Sequence, residues 1–308
     1  MMETLIKKIN NTKEIDLNQK RISNQIFHGD VIQTLSSFSE DVRFDIIIAD
    51  PPYNIGKDFG EMKGNMSLME YKEWSKTWIE KCFQFLKDDG LMYIYGFSEI
   101  LAHLSVLHPL ECQRWLIWHY TNKSIPGSKF WQRSHEAILC VWKPTIEKPA
   151  LYIDQIREPY TETYLKNAVG KVRKGTTSRF NNGNGKNTIY QANQHGALPR
   201  DVIKVPALAG GAGAKERWFE CDGEVYPPSE LKHFRNKEIW KHETQKPMKL
   251  TERLFNSCIS KNQEGHVLIP FVGSGSECVV AKKMNITYTG IELNSKYVRF
   301  AKKWLSHV

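Results

Sequence analysis

The sequence predicts an α/β fold, a largely parallel sheet with helical crossovers, interrupted by one basic insertion. Three observations predict it. Short β-branched runs alternate with amphipathic stretches in both the first and the last part of the chain. The run Phe44-Asp45-Ile46-Ile47-Ile48-Ala49 is apolar almost throughout, the pattern of a strand buried on both faces. Residues 151–240, by contrast, are rich in Gly, Asn and Lys and have poor periodicity. A length of 308 residues suits one large domain with an insertion, or roughly two units at about 150 residues each.

The elements follow in order. Over residues 70–85, apolar side chains recur at Tyr71, Trp74, Trp78, Cys82 and Phe85, a helical spacing. Asp88-Asp89-Gly90 is expected to stop that helix. Residues 91–95, 115–118 and 137–142 read as further strands, and Ala209-Gly210-Gly211-Ala212-Gly213 reads as a turn. Residues 266–269 form a strand, 277–284 a helix and 287–291 the next strand. The last helix carries Tyr297, Phe300, Ala301, Trp304 and Leu305 on one face.

Composition narrows the function. Hydrophobic residues are 41% and charged residues 25%, enough for a core and unlike a disordered chain. The formal net charge of +9 favours a polyanionic partner. Residues 157–200 hold eight Lys or Arg against two acids, which predicts a phosphate-contacting segment with Lys171, Arg173, Lys174 and Arg179 as the contacts. The apolar runs fall far short of the ~20 residues that span a bilayer, so no membrane segment is expected. Residues 1–8 lack the apolar core of a signal peptide. The six cysteines form no C-x-x-C pair, so no metal site is expected and reduced cytoplasmic thiols are.

Two constellations carry chemistry. Pro270-Phe271-Val272-Gly273-Ser274-Gly275-Ser276 follows a strand and opens a helix, where glycines admit a ligand close to the backbone and free N–H groups face it. Glu292 stands at the end of the next strand, the place of an acid that binds a ribose diol. The full G-x-G-x-x-G and the G-x-x-x-x-G-K-[ST] loop are both absent, which disfavours dinucleotides and nucleoside triphosphates. The second constellation, Asp50-Pro51-Pro52-Tyr53, follows the buried strand directly. Its carbonyls and carboxylate are acceptors on a stiff chain, beside an aromatic ring. A rigid acceptor cluster with a stacking surface suits a planar base bearing an exocyclic amino group.

Together these stretches resemble the amino-group DNA methyltransferases that use S-adenosylmethionine. Because the Asp-Pro-Pro-Tyr box precedes the glycine segment with a variable region between, the order looks like the β class of that family. His28-Gly29-Asp30 resembles the family's Gly-Asp element, whose acid contacts the cofactor's adenine. His242-Glu243-Thr244-Gln245-Lys246-Pro247 resembles its His-Pro-Thr-Gln-Lys-Pro segment, and Ile291-Glu292-Leu293-Asn294 with Tyr297 its ribose-holding strand end. His135-Glu136-Ala137-Ile138-Leu139 matches a further core segment. The resemblance implies a Rossmann-like S-adenosylmethionine-dependent methyltransferase sheet in permuted motif order. Its catalytic domain would be residues 1–150 and 241–308, with 151–240 as an inserted target-recognition region.

The resemblance also assigns roles. Asp50, Pro51, Pro52 and Tyr53 would be catalytic. Asp30, Asp50, Lys246, Pro270, Phe271, Gly273, Ser274, Gly275, Ser276, Glu292, Leu293 and Asn294 would hold the cofactor. Where the family usually has Asp before Pro-Phe, this chain has Ile269, so whatever that acid does for the methionine amino group must come from elsewhere. Asp as first residue of the box leans towards N6 of adenine, with N4 of cytosine as the alternative. Methylation at cytosine C5 needs a thiolate, and no Pro-Cys element stands near a candidate pocket. A non-catalytic DNA-binding relative would explain Ile269; a nicotinamide dehydrogenase would leave residues 50–53 unexplained. The family often forms homodimers and often works beside a cognate restriction endonuclease, so both are expectations here.

Overall fold

The structure, a computed structural model, describes residues 18–54, 66–122, 129–147, 149, 151–173 and 187–308, and of Arg173 the backbone alone. The strands in chain order are β1 (Gln25–His28), β2 (Phe44–Ala49), β3 (Leu86–Gly96), β4 (Gln113–His119), β5 (His135–Val141), β6 (Val172–Arg173), β7 (Thr188–Ile189), β8 (Val202–Lys204), β9 (Phe219–Cys221), β10 (Glu224–Tyr226), β11 (His266–Ile269) and β12 (Thr287–Glu292). The helices are α1 (Val31–Ser36), α2 (Leu68–Phe85), α3 (Ser98–Ser105), α4 (Glu162–Ala168), α5 (Gly210–Glu216), α6 (Met248–Cys258), α7 (Ser276–Lys283) and α8 (Ser295–Ser306).

Residues 1–150 with 201–308 form one compact unit, and 151–200 a second. The second compact body ends at Arg200. Residues beyond it join the first unit because β8 pairs in parallel with β4 there, Ile117 opposite Val202.

The first unit is built on an eight-stranded sheet in the order β1-β12-β11-β2-β3-β5-β4-β8. From β1 through β3 the neighbours are parallel; β5 runs antiparallel to both β3 and β4. The sheet is covered on both faces, which is why β2 reads as a continuous apolar run. Ile46 and Ile48 join a cluster with Leu250, Leu254, Val280, Phe300 and Trp304 from α6, α7 and α8. Ile47 and Ala49 face the other way, onto Trp78, Ile79 and Cys82 of α2 and Leu101 and Leu104 of α3. That alternation has the period of two that a strand imposes.

Local chemistry sets the ends. Helix α2 starts at a capping box: Ser67 Oγ accepts from the Glu70 amide at 3.3 Å, and Glu70 Oε2 accepts from the Ser67 amide at 2.8 Å. Its end differs from expectation, since β3 begins at Leu86 and Asp88-Asp89-Gly90 lies inside that strand. Phe44 pairs with Leu86 but Ile46 already pairs with Leu91, so residues 87–90 bulge out of the ladder. Lys87 Nζ meets Asp45 Oδ1 at 2.5 Å and Lys143 Nζ meets Asp88 Oδ1 at 3.2 Å, which pins the bulge. The expected glycine turn at 209–213 is also corrected, because most of it is the first turns of α5. A Cβ at Gly213 would lie 2.7 Å from the Leu208 carbonyl, so close packing there requires glycine inside the helix.

The second unit contains α4 and the antiparallel pair of β6 with β7. Tyr160 and Tyr164 stack at 5.5 Å, and the Tyr160 and Tyr190 hydroxyls are 3.0 Å apart. Among the described residues no helix is long and apolar enough to cross a membrane, and no group of three or more His, Cys, Asp or Glu could hold a metal ion.

Candidate active site

The sheet order itself assembles the site. In β2 and β11, Ile46 pairs with Val267 and Ile47 with Leu268, so the chain leaves both strands side by side at residues 50 and 270. Strand β5 is antiparallel to β3, with Ala137 opposite Gly96, so its first residues stand at the same edge. His28 of β1 lies opposite Glu292 of β12, which brings Asp30 there as well. The loops enclose a cavity of about 460 Å³ lined by all four residues 50–53 and by Pro270, Phe271, Gly273, Ser274 and Ser276. This is the outer edge of the carboxyl ends of a parallel sheet, where open α/β folds bind ligands.

Charge concentrates in one wall. Lys246 Nζ donates to Asp50 Oδ2 at 2.7 Å and stands 3.6 Å from Glu136 Oε2. The Lys246 side chain is only 4% exposed. Burial alone would drive its ammonium towards neutrality; the Asp50 and Glu136 carboxylates outweigh it and hold Lys246 above its usual range. The Tyr53 hydroxyl donates to Asp50 Oδ1 at 2.8 Å, with Glu136 Oε2 at 3.2 Å as the alternative acceptor. Burial and those two carboxylates push the phenol well above its ordinary value, so it stays a donor. The Tyr53 ring meets Phe97 edge-on at 5.1 Å, and the Tyr71 hydroxyl donates to the Pro52 carbonyl at 3.0 Å. Residues 50–53 are thus held from three directions.

The glycine turn forms the adjoining wall. Gly273 has φ of +52°, and its amide donates to Glu292 Oε2 at 2.8 Å. Asn294 donates its amide to Glu292 Oε1, also at 2.8 Å. Burial raises the Glu292 carboxyl despite those amides. A Cβ on Gly273 would come within 3.2 Å of His242 Nε2, so the turn and the His242 ring are packed closely. Burial, then the charges of Lys246 and Arg217, lower His242 to about 3, and its Nδ1 finds no hydrogen-bond partner among the described residues. On the far side Asp30 caps α1, its Oδ1 accepting from the amides of Ile32 and Gln33.

The structure places the expected residues unevenly. Asp30, Lys246, Glu292, Leu293 and Asn294 line the same cavity as residues 50–53. Gly275 does not: with φ of +87° it begins α7, and a Cβ there would lie 2.6 Å from the Ala301 Cβ, so its bareness serves helix packing. Lys171 is exposed in the second unit and Arg173 lies in β6; Lys174 and Arg179 fall outside the described residues. Sequence reasoning assigned no role to Glu136, Glu277, Phe97 or Trp118, which also line the cavity. Phe97 carried a usable signal, since it follows β3 as Asp50 follows β2. Glu136 did not, because an antiparallel β5 is what brings a strand's first residues to this edge.

Comparison with known proteins places the chain. Residues 44–303 match the N6/N4 methyltransferase family described as DNA methylase. The chain is 28% identical over 281 residues to the type II methyltransferase M.HpaI of Haemophilus parainfluenzae, covering 90% of this chain and 72% of that one. It is 25% identical over 290 residues to the DNA adenine methyltransferase YhdJ of Escherichia coli (strain K12), covering 91% and 82%. Among solved structures, the cytosine-N4-specific PvuII DNA methyltransferase superposes with a TM-score of 0.58 at 14% identity, over 91% of this chain and 85% of that one. A complex of M1.HpyAVI with SAM gives 0.51 at 18% identity, over 91% and 98%. The structural likeness shows a shared Rossmann-like fold, and the family match spans most of the chain: it belongs to the DNA amino-methyltransferases of the N6-adenine/N4-cytosine family.

Proposed function

We propose that this chain transfers the methyl group of S-adenosylmethionine to the N6 amino group of adenine in DNA, as the modification half of a type II restriction-modification pair. The observation that carries the reading is the shared cavity: residues 50–53 and the turn at 270–276 face one space. The donor set fits the cofactor. Glu292 accepts the Gly273 and Asn294 amides on separate oxygens, with the Leu293 amide also acting on it, and a carboxylate with about four acceptor sites keeps capacity for a ribose hydroxyl. Gly273 lines the cavity and has no side chain to cover its backbone there.

S-adenosylmethionine, when bound, supplies an electrophilic methyl carbon on a sulfonium. The chain's own groups prepare the amine. The adenine N6 lone pair is delocalised into the ring and attacks poorly. Asp50 and the Pro51 carbonyl accept the two amino hydrogens, which localises the lone pair on nitrogen. Lys246 and the Tyr53 hydroxyl fix the Asp50 carboxylate without exhausting its lone pairs. With the cofactor bound, the nitrogen so prepared would take the methyl carbon as the carbon–sulfur bond breaks, leaving the thioether S-adenosylhomocysteine, and its surplus proton would pass to the Asp50 carboxylate that accepts it, so catalysis is positioning plus electrostatics. A base inside a duplex cannot reach this cavity and must be flipped out. Tyr53 covers it, a contact of about 1–3 kcal/mol.

The exposed Lys171, with Arg173, Lys174 and Arg179, contacts DNA phosphates, and the region 151–240 reads the target. The chain acts in the cytoplasm, as a homodimer beside its cognate endonuclease. The deciding experiment is nucleoside mass spectrometry of DNA treated with protein and S-adenosylmethionine. N6-methyladenine is the expected product. N4-methylcytosine in its place would move the reading to the cytosine enzymes, and DNA binding with no methylated nucleoside would move it to a non-catalytic relative.

A further inference from the structure

Glu277 is a buried carboxylate on the cavity wall to which the mechanism gives no task. It is the second residue of α7 and 5% exposed. Ser276 Oγ donates to its Oε2 at 2.8 Å. The charged and titratable groups that act on it come from three other elements: Asp50 after β2, Lys246 before α6 and Tyr95 on β3. Glu136 of β5 draws on the same Lys246. One ammonium therefore serves three carboxylates. Buried carboxylates in excess of their cations are costly, and a site built this way is complementary to a cation that arrives from outside. Burial first, then the Asp50 charge, push Glu277 up to about 7, so it takes on a proton readily when no such cation is present. Ile269, at the end of β11, is 1% exposed in the apolar core and brings no charge.

We infer that the Glu277 carboxylate is the subsite for the α-ammonium group of the amino-acid tail of the cofactor. The inference rests on the S-adenosylmethionine reading above. An ammonium offers N–H donors that a carboxylate can accept, with charge on both sides of the bond. The sulfonium offers none, and it loses its charge during transfer, so a fixed anion against it would oppose the reaction.

The test is calorimetric titration of wild type and Glu277→Gln with three probes. S-adenosylmethionine carries both cations, S-adenosylhomocysteine the ammonium alone, and 5′-methylthioadenosine neither. Glu277→Gln is expected to weaken the first two by the same factor, on the order of tenfold, the size of one charge-assisted hydrogen bond. Binding of 5′-methylthioadenosine is expected to be unchanged, which also reports an intact fold. Unchanged affinity for S-adenosylhomocysteine in the variant overturns the inference, and so does equal loss for all three probes. Wild type that binds none of the three overturns the cofactor reading itself, a different outcome from wild type that binds and a variant that binds equally well.

Discussion

Lys246 Nζ stands between carboxylates that would otherwise repel one another, 2.7 Å from Asp50 and 3.6 Å from Glu136. Replacing it by Met leaves these and Glu277 without a cation. Lys246→Met is expected to lose about 3 kcal/mol at pH 8, the cost of stranding buried charge. The loss should shrink at pH 5.5, where Glu277 is protonated, because the Glu277 carboxyl is raised in the folded state and the cost of its charge grows as pH rises. Urea unfolding at the two pH values checks this, and equal losses at both would contradict it. The same sign applies to binding. Wild-type affinity for S-adenosylhomocysteine should climb with pH, by at most tenfold per unit, and level off above about 7, while Glu277→Gln keeps only the shallower dependence left by the raised Glu292 carboxyl. His242, held near 3, stays neutral across that range, and Lys246 stays charged. At this scale Asp50, Tyr53 and Glu292 were legible because each follows a strand whose pattern is plain. Glu136 and Glu277 acquire their surroundings only from neighbours remote in sequence.

Helix α7 shows how an element depends on a single missing side chain. Gly275 combines a left-handed backbone with a Cβ position 2.6 Å from Ala301. Gly275→Ala is expected to cost about 2 kcal/mol through strain and displacement of α8. Gly211 in α5 meets nothing within 4 Å and has no positive φ. There Gly211→Ala is expected to stabilise by up to about 1 kcal/mol, since alanine favours a helix. Denaturant unfolding of the two variants reads the contrast; similar effects would contradict it. The strands β2 and β11 were legible to the residue from their apolar runs. The bulge of β3 was not, because Asp-Asp-Gly also marks a turn. It becomes strand here because Lys87 reaches across to Asp45 of β2, Lys143 pairs with Asp88, and a Cβ on Gly90 would crowd the Asp45 carbonyl at 2.9 Å. The run at 209–213 misled for a related reason: Gly213 packs tightly against the Leu208 carbonyl inside a helix, and most of the run belongs to that helix.

Over the whole molecule the net charge of +9 and the local basic excess of residues 157–200 are the features behind the proposed phosphate contacts. Lys171→Glu with Arg173→Glu should lower the slope of log affinity against log salt for duplex DNA by roughly 2, near 0.9 for each lost phosphate contact. An unchanged slope would remove those two residues from the interface. The change of texture at residue 151 was legible, and the end of the second compact unit at Arg200 was not, since the pairing of Val202 with Ile117 depends on the finished sheet.

What joins the scales is the adjacency of β2 and β11, which sets an acceptor cluster beside the glycine turn proposed to hold the cofactor. The most direct test is single-turnover transfer of a labelled methyl group to duplex DNA by Asp50→Ala, with S-adenosylhomocysteine affinity measured on the same preparation. The account predicts transfer reduced at least a thousandfold, about 4 kcal/mol of transition-state stabilisation, with binding still measurable. Transfer at near wild-type rate would contradict it.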